Sequence, residues 1–404
     1  MKILVVSQYF WPENFRINDL VTSFIERGND VTVLTGQPNY PSGKIFPEFR
    51  ANQSHYSNYQ GAKIVRVPLI PRGKGVIRLV LNYLTFMLSA IMFGSWRLRG
   101  KNFDVIFVFQ PSPVTVGVPA IFFRWLKQVP VVFWVLDLWP ETLEALGVVR
   151  SPILLNLVKS LVKFIYKRCD LILAQSKSFI PQIKKYCCAH KQVEYFPSWS
   201  DIEFNFSMVD LATEVPINKG SFNIMFAGNI GDAQDFPAIL DAAEILIKKP
   251  VRWLIVGDGR AADWVRSEVI KRNLSNVFFM LGHYSLERMP SFYKHADILL
   301  LSLKDSPVFS MTIPGKLQSY LAAGIPILAM LNGEGANIVE EFGAGLSTMA
   351  GNGGALADAV MKLANKSHEE RKEMGARGLA ASVTEFDKEI LVSRLLVWLN
   401  KLNT

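Results

Sequence analysis

The chain has 404 residues, 50% hydrophobic and 20% charged, with 27 Gly and 21 Pro. That excludes a disordered chain, a coiled coil and a collagen-like repeat, and at about 100–200 residues per domain it predicts two domains with full cores. The net charge of +9 is uneven, with +13 in residues 1–200 and −4 in residues 201–404, so the two halves are expected to meet different partners.

In chain order, Lys2 to Ser7 is a short apolar run of the kind buried on both faces in a parallel strand. Asn18–Arg27 has helical periodicity through Leu20, Val21, Phe24 and Ile25, and Gly28 supplies a stop. Val31–Leu34, Asp104–Phe109, Val131–Leu136 and Leu171–Ala174 read as further strands, so strands alternate with helices as in an open parallel sheet. The pattern restarts near residue 221. Strands are expected at Asn223–Phe226, Trp253–Val256, Val277–Leu281, Ile298–Leu301 and Ile325–Ala329, with helices such as Pro237–Lys248 and Ala261–Arg272 between them. The segment Phe196–Asp201 marks the boundary. The expected domains are 1–198, joined by a returning C-terminal helix within 386–404, and 199–385. Two such domains are expected to face a cleft, with ligands outside the carboxyl ends of the strands.

The cysteines are Cys169, Cys187 and Cys188, a set that does not read as a disulfide framework and fits a reducing cytosol. No signal peptide is expected, since only Ile3 to Val6 are apolar before Ser7-Gln8.

Residues 61–103 hold eight Lys/Arg and no acid. Within them Leu79–Trp96 is uncharged, with polar Asn82, Thr85 and Ser89 at helical spacing and a wide apolar face through Leu81, Leu84, Leu88 and Phe93. A spanning helix is disfavoured because strands of the same domain flank it. A core helix with a solvated basic rim competes with an interfacial helix on anionic lipid, and the basic flank of Arg72, Lys74, Arg78, Arg97, Arg99 and Lys101 tips the expectation to the membrane.

Several loops could carry chemistry. Gly257-Asp258-Gly259-Arg260-Ala261-Ala262 fits a phosphate-cradling G-x-G-x-x-A turn after a strand, a weak signal alone. Pro314-Gly315-Lys316 opens a helix, where free N–H groups and a Lys suit an anion; a loop with a surface Lys is the plain alternative. Gly228 to Gly231 is a glycine turn open to close ligand approach or simply tight. Asp137 follows a very apolar strand beside Trp139, Pro140 and Glu141. Trp11, Pro12, Glu13, Asn14 and Arg16 repeat the Trp-Pro-Glu pattern after the first strand. Carboxylates there suit general base catalysis or sugar hydroxyls, and helix capping at Asp137 or Glu141 is compatible with that. His283 is the one histidine placed at a strand end; no metal-ligand spacing and no Asp-x-Asp occurs.

Lys2–Val6, Phe196-Pro197-Ser198, Phe226-Ala227-Gly228, Val256–Gly259, Ala296-Asp297-Ile298 and Leu321–Pro326 together resemble the GT-B glycosyltransferases of family 4 over essentially the whole chain. Phe226–Gly231 with Ala233-Gln234-Asp235, and Pro314–Gln318, more narrowly resemble the L-fucosamine transferases of bacterial O-antigen clusters. The resemblance implies two Rossmann-like α/β domains. It implies transfer from a nucleotide sugar, UDP-N-acetyl-L-fucosamine, to a polyprenyl-diphosphate-linked saccharide on the cytoplasmic face of the inner membrane. Neither cofactor, metal nor nucleic acid is expected. The family's usual loop cations are replaced by Asn229 and Gln234, and its paired glutamates by Met311 and Ser319. The nucleotide is then expected at Gly228, Asn229, Gln234, Gly257, Asp258, Gly259, Gly282, His283, Thr312, Pro314, Gly315, Lys316 and Ser319, helped by Arg16. The acceptor is expected at Trp11, Asn14 and Trp139. Asp137, then Glu13 and Glu141, are the candidate bases if the reaction inverts; in a retaining reaction Asp137 would position the acceptor. A sugar-nucleotide epimerase of the same fold and a non-catalytic relative are the alternatives.

Overall fold

The computed structural model describes residues 1–73, 75–145, 147, 149, 151–200, 209–217 and 220–403. It divides into two compact units, Met1–Pro197 with Leu391–Thr404, and Ser198–Ile390.

In unit 1 the chain runs β1 (Lys2–Val6), α1 (Arg16–Glu26), β2 (Asp30–Gly36), α2 (Pro47–Ala51), β3 (Asn58–Tyr59), β4 (Ala62–Val67), α3 (Val76–Arg97), β5 (Val105–Gln110), α4 (Gly117–Lys127), β6 (Val131–Val135), α5 (Glu141–Ala145), α6 (Pro152–Arg168), β7 (Leu171–Ala174), α7 (Phe179–Lys184) and β8 (Gln192–Tyr195). The strands order as β3-β4-β2-β1-β5-β6-β7-β8, parallel except for the β3–β4 edge pair. β1 is apolar because it lies inside this sheet, with Ile3 opposite both Val31 and Val105. Gly28, at φ +77°, closes α1, donating to the Ile25 carbonyl at 2.8 Å. β4 was not expected from the sequence, because Lys63 and Arg66 interrupt its apolar run. Arg66 is nevertheless buried, donating to the Gly36 carbonyl at 2.9 Å and lying over the Phe49 ring.

α3 inverts the usual amphipathic arrangement. Its inward stripe is Asn82, Tyr83, Phe86, Ala90 and Gly94. Asn82 is held inside by Gln8, which donates to its Oδ1 at 2.6 Å, and by the Ile70 carbonyl, which accepts at 2.7 Å. The apolar stripe Ile77, Val80, Leu81, Leu84, Leu88, Met92 and Trp96 faces outward, with Trp96 72% exposed. α4 packs against both α3 and α6. α4 adds exposed Trp125 and Leu126, and α6 adds Ile153, Leu154 and Leu157. None of these three helices contains an Asp or Glu.

Unit 2 runs β9 (Phe222–Ala227), α8 (Phe236–Ile245), β10 (Val251–Val256), α9 (Ala262–Lys271), β11 (Phe278–Gly282), α10 (Met289–Tyr293), β12 (Ile298–Ser302), α11 (Pro307–Ser310), α12 (Gly315–Ala322), β13 (Ile327–Met330), α13 (Glu334–Glu341), β14 (Gly345–Thr348), α14 (Gly353–Ala364) and α15 (His368–Glu385). Its sheet is parallel throughout, in the order β11-β10-β9-β12-β13-β14. Phe226, Trp253, Ile255 and Leu300 from the strands meet Ile239, Val265 and Leu356 from the helices in its core. The last helix, α16 (Lys388–Lys401), buries Leu391, Val392, Leu395 and Leu399. Its Trp398 ring meets Phe196 at 6.3 Å within unit 1.

Candidate active site

In each unit the loops of interest gather at the carboxyl edge of the sheet, because all the strands except the antiparallel edge strand β3 run parallel and end on the same side.

In unit 2 the loops after β9 and β10 lock together through their backbones. Gly228 N–H donates to the Val256 carbonyl at 2.8 Å, Ile230 N–H to Asp258 at 2.9 Å and Gly257 N–H to Gly282 at 2.7 Å. A Cβ on Gly257 would collide with the Gly228 carbonyl, and one on Gly259 with the Ile230 carbonyl. The small size of Gly257 and Gly259 is used by the neighbouring loop, while Asp258 and Arg260 are exposed there. Gln234 is spent on its own loop, its Oε1 accepting from Gly231 N–H at 3.0 Å, and Thr312 donates back to Val308 at 2.8 Å. Asn229 and His283 are exposed, Ser319 is half-buried on α12, and Gly282 and Gly315 border open space.

Lys316 is the unusual group. It follows the first residue of α12, where Pro314 is the N-cap. Tyr320 of the same helix ties α12 to β9, accepting from Ala227 N–H at 3.0 Å. The Lys316 ammonium is enclosed 3.5 Å from the centre of the Phe226 ring, with no hydrogen-bond partner among the described residues. A Cβ at Gly228 would lie 2.5 Å from its Cε, so Gly228 is glycine to admit this side chain. Burial pushes the Lys316 pKa down to about 7. A cation held without a counter-charge beside the free N–H groups of a helix start can neutralise an arriving anion.

In unit 1, Asp137 stands just beyond β6. Its carboxylate accepts from the Trp139 indole N–H at 3.0 Å and from the Thr142 hydroxyl at 2.5 Å. Burial pushes it up to about 6 despite those bonds, near the value a base working at neutral pH needs. Tyr83 of α3 lies beside it, hydrogen-bonded to Ser112. Trp139, only 7% exposed, packs its ring against Tyr83 at 6.2 Å. It therefore orients Asp137 rather than offering a sugar-stacking face, a correction to its expected role. Glu141 accepts from Tyr186 Oη at 2.6 Å.

The first Trp-Pro-Glu loop does not repeat this arrangement. Trp11 turns away to pack, tilted, against Tyr56 and Tyr59, with centroids at 4.9 and 5.3 Å. Glu13 is buried, with Oε1 accepting from the Asn39 and Tyr40 N–H groups at 2.8 and 2.7 Å and Oε2 from Phe10 N–H at 3.2 Å. Burial raises its pKa to about 7, against the pull of those N–H groups and of Arg66. Glu13 thus clamps the loop after β1 to the loop after β2, and both its oxygens are committed. Asp137 is likewise bound at both oxygens, but by side chains rather than backbone, so Glu13 reads first as a clamp and Asp137 stays the first candidate base. Asn14 is exposed and Arg16 begins α1.

Of the basic flank, Lys74 lies outside the described residues. Arg72 does not face outward with Arg78, Arg97 and Arg99. Its N–H is held by Asn39 Oδ1 at 3.0 Å, and its guanidinium lies 5.5 Å from the centre of the Tyr40 ring. Its charge also bears on Tyr9 and Tyr83. Arg97 donates to the Arg66 carbonyl, and Lys127 Nζ donates to the Lys101 carbonyl at 2.8 Å. Sequence reasoning missed Tyr83 and the placement of Arg72. The signal was the Asn82-Tyr83, Phe86, Ala90 spacing, which the polar series Asn82, Thr85 and Ser89 masks.

Two family models match, a glycosyltransferase 4-like domain over residues 14–199 and a glycosyl transferases group 1 domain over residues 221–366. The chain is 25% identical over 339 residues to the colanic acid biosynthesis glycosyl transferase WcaI of Escherichia coli K12, covering 80% of this chain and 82% of that one. It is 24% identical to the probable glycosyltransferase WbjE of Pseudomonas aeruginosa over 60% of each. Its fold is similar to that of Anabaena HepE solved with UDP and glucose, at TM-score 0.68 and 15% identity over 99% of this chain and 100% of that one. It is also similar to WaaG, a glycosyltransferase involved in lipopolysaccharide biosynthesis, at TM-score 0.65 and 12% identity over 98% of each. With transferase domains matched across both units, on two parallel α/β sheets, the chain is a glycosyltransferase of the GT-B fold.

Proposed function

We propose that this enzyme transfers a sugar from a UDP-sugar to a polyprenyl-diphosphate-linked saccharide during bacterial surface-polysaccharide assembly. The observation that carries the reading is Lys316, a buried, uncompensated ammonium at the start of α12 on the carboxyl edge of unit 2. In this reading it meets the donor's diphosphate with the N–H groups of that helix start, in place of the loop cations that Asn229 and Gln234 supplant. Asp137 takes the proton of the acceptor hydroxyl as that oxygen bonds to the anomeric carbon. The bond from that carbon to the donor phosphate breaks, and its electron pair leaves on UDP, where cationic and N–H donors stabilise the growing charge. N-acetyl-L-fucosamine is the proposed donor sugar, on the strength of the motif resemblance.

We further propose that the enzyme works on the cytoplasmic membrane face. The outward apolar stripe of α3, continued by α4 and α6 without a single acid, supports this. A transfer assay with radiolabelled UDP-sugars and membranes carrying lipid-linked acceptors tests the whole reading. Label should move to lipid with UDP-N-acetyl-L-fucosamine and stop in Lys316→Ala. Label moving equally well in that variant, or released only as an isomerised donor, contradicts it.

A further inference from the structure

Between α2 and the start of α3, unit 1 holds a second basic feature that the transfer reaction above does not use. A cavity of about 560 Å³ opens there, lined by Ser42, Lys44, Arg50, Pro71, Gly73 and Arg78 among others. Three cations face it. Lys44, Arg50 and Arg78 are exposed, and among the described residues no carboxylate forms an ion pair with any of them. Glu48 sits on the same short helix as Arg50 but does not line the cavity.

The walls are built rather than incidental. Gly73 N–H donates to the Gly43 carbonyl at 3.2 Å, and a Cβ on Gly43 would lie 2.9 Å from Gly73 N, so two glycines at positive φ let the loops join. The stem of Arg78 rests on Gly73, where a Cβ would meet its Cδ at 3.3 Å.

Two neighbours give the cavity its meaning. Arg78 shares the first turns of α3 with exposed Ile77, Val80 and Leu81, the head of the outward apolar stripe. Pro71 and Gly73 line the cavity while Arg72 between them reaches Tyr40 and bears on Tyr83, the neighbour of Asp137. A cationic hollow at one end of an apolar strip suits an amphiphile with a phosphate head and a hydrocarbon tail.

We propose that the Lys44–Arg50–Arg78 cavity binds the diphosphate of the lipid-linked acceptor. This rests on the lipid-linked acceptor reading above and names the site that recognises its head.

Farnesyl diphosphate, a soluble prenyl diphosphate, serves as the probe for calorimetry with the full chain, and UDP is titrated in parallel. Farnesyl diphosphate is expected to bind the wild type and to bind Lys44→Ala/Arg50→Ala and Arg78→Ala at least about tenfold more weakly. UDP affinity should be unchanged in these variants. Circular dichroism checks that they fold, as exposed side chains allow. Undiminished farnesyl diphosphate binding in both variants overturns the proposal. So does a loss confined to flotation with phosphatidylglycerol vesicles, which would make the cavity a phospholipid headgroup site. Failure of UDP to bind the wild type would instead strike the glycosyltransfer reading of unit 2, and the two failures are read separately.

Discussion

An ammonium shut against the face of Phe226 without a counter-charge costs folding energy, and the direction of that cost with pH is fixed. The folded pKa of Lys316 is about 7 against an ordinary 10.5, so between those values the unfolded chain binds more protons and stability rises with pH. Lys316→Met should therefore raise the melting temperature at pH 6–7, by an advantage that shrinks as the pH approaches 10. Calorimetric melts across that range check this; an advantage that grew with pH would contradict it. Asp137, held near 6, must be ionised to accept a proton, so kcat should climb through about pH 6 and level off above it. Asp137→Asn should lower kcat by about 100-fold or more with little change in melting temperature. Glu13 differs in kind. Glu13→Ala leaves three backbone N–H groups unpaired, two of them buried, and should destabilise the fold by about 2–4 kcal/mol, read in urea melts, while the variant that remains folded keeps its pH–rate profile.

At the scale of elements, α3 explains both what the sequence revealed and what it hid. The uncharged Leu79–Trp96 run announced a long apolar helix, but periodicity alone does not say which stripe faces the sheet. The polar residues at 82 and 85 look like a solvent face, yet Asn82 is bound by Gln8 and Ile70, and Thr85 accepts from Ile70 N–H at 3.0 Å. Partners 12 to 74 residues away decided the matter. The same holds for the glycine motif after β10, whose small residues answer to the β9 loop, a constraint that periodicity does not show. The parallel strands were legible because burial on both faces leaves unbroken apolar runs. β4 was not, because Arg66 finds its carbonyl partners only in the folded sheet. The outward stripe makes a prediction of its own. Leu88→Glu on α3 and Leu154→Glu on α6, both at exposed positions, should weaken flotation with anionic vesicles several-fold without lowering the melting temperature. Unchanged flotation in both would leave the three-helix face without a lipid.

For the whole molecule, the uneven charge separates two tasks. The +13 half carries acid-free helices and the cationic cavity, and the mildly acidic half carries the hidden Lys316 cation at a helix start. Vesicle binding by the first should weaken with salt, because exposed charges are screened within about 8–10 Å at physiological ionic strength. UDP binding by the second should respond to pH more than to salt, since its cation is enclosed. Titration of UDP into the wild type and Lys316→Met at pH 6.5 and pH 9 tests the central claim most directly. The account predicts tighter binding at pH 6.5 than at pH 9 for the wild type, proton uptake on binding at pH 9, and in the variant weak binding that no longer depends on pH in this way. Equal affinities in wild type and variant at both pH values would contradict it.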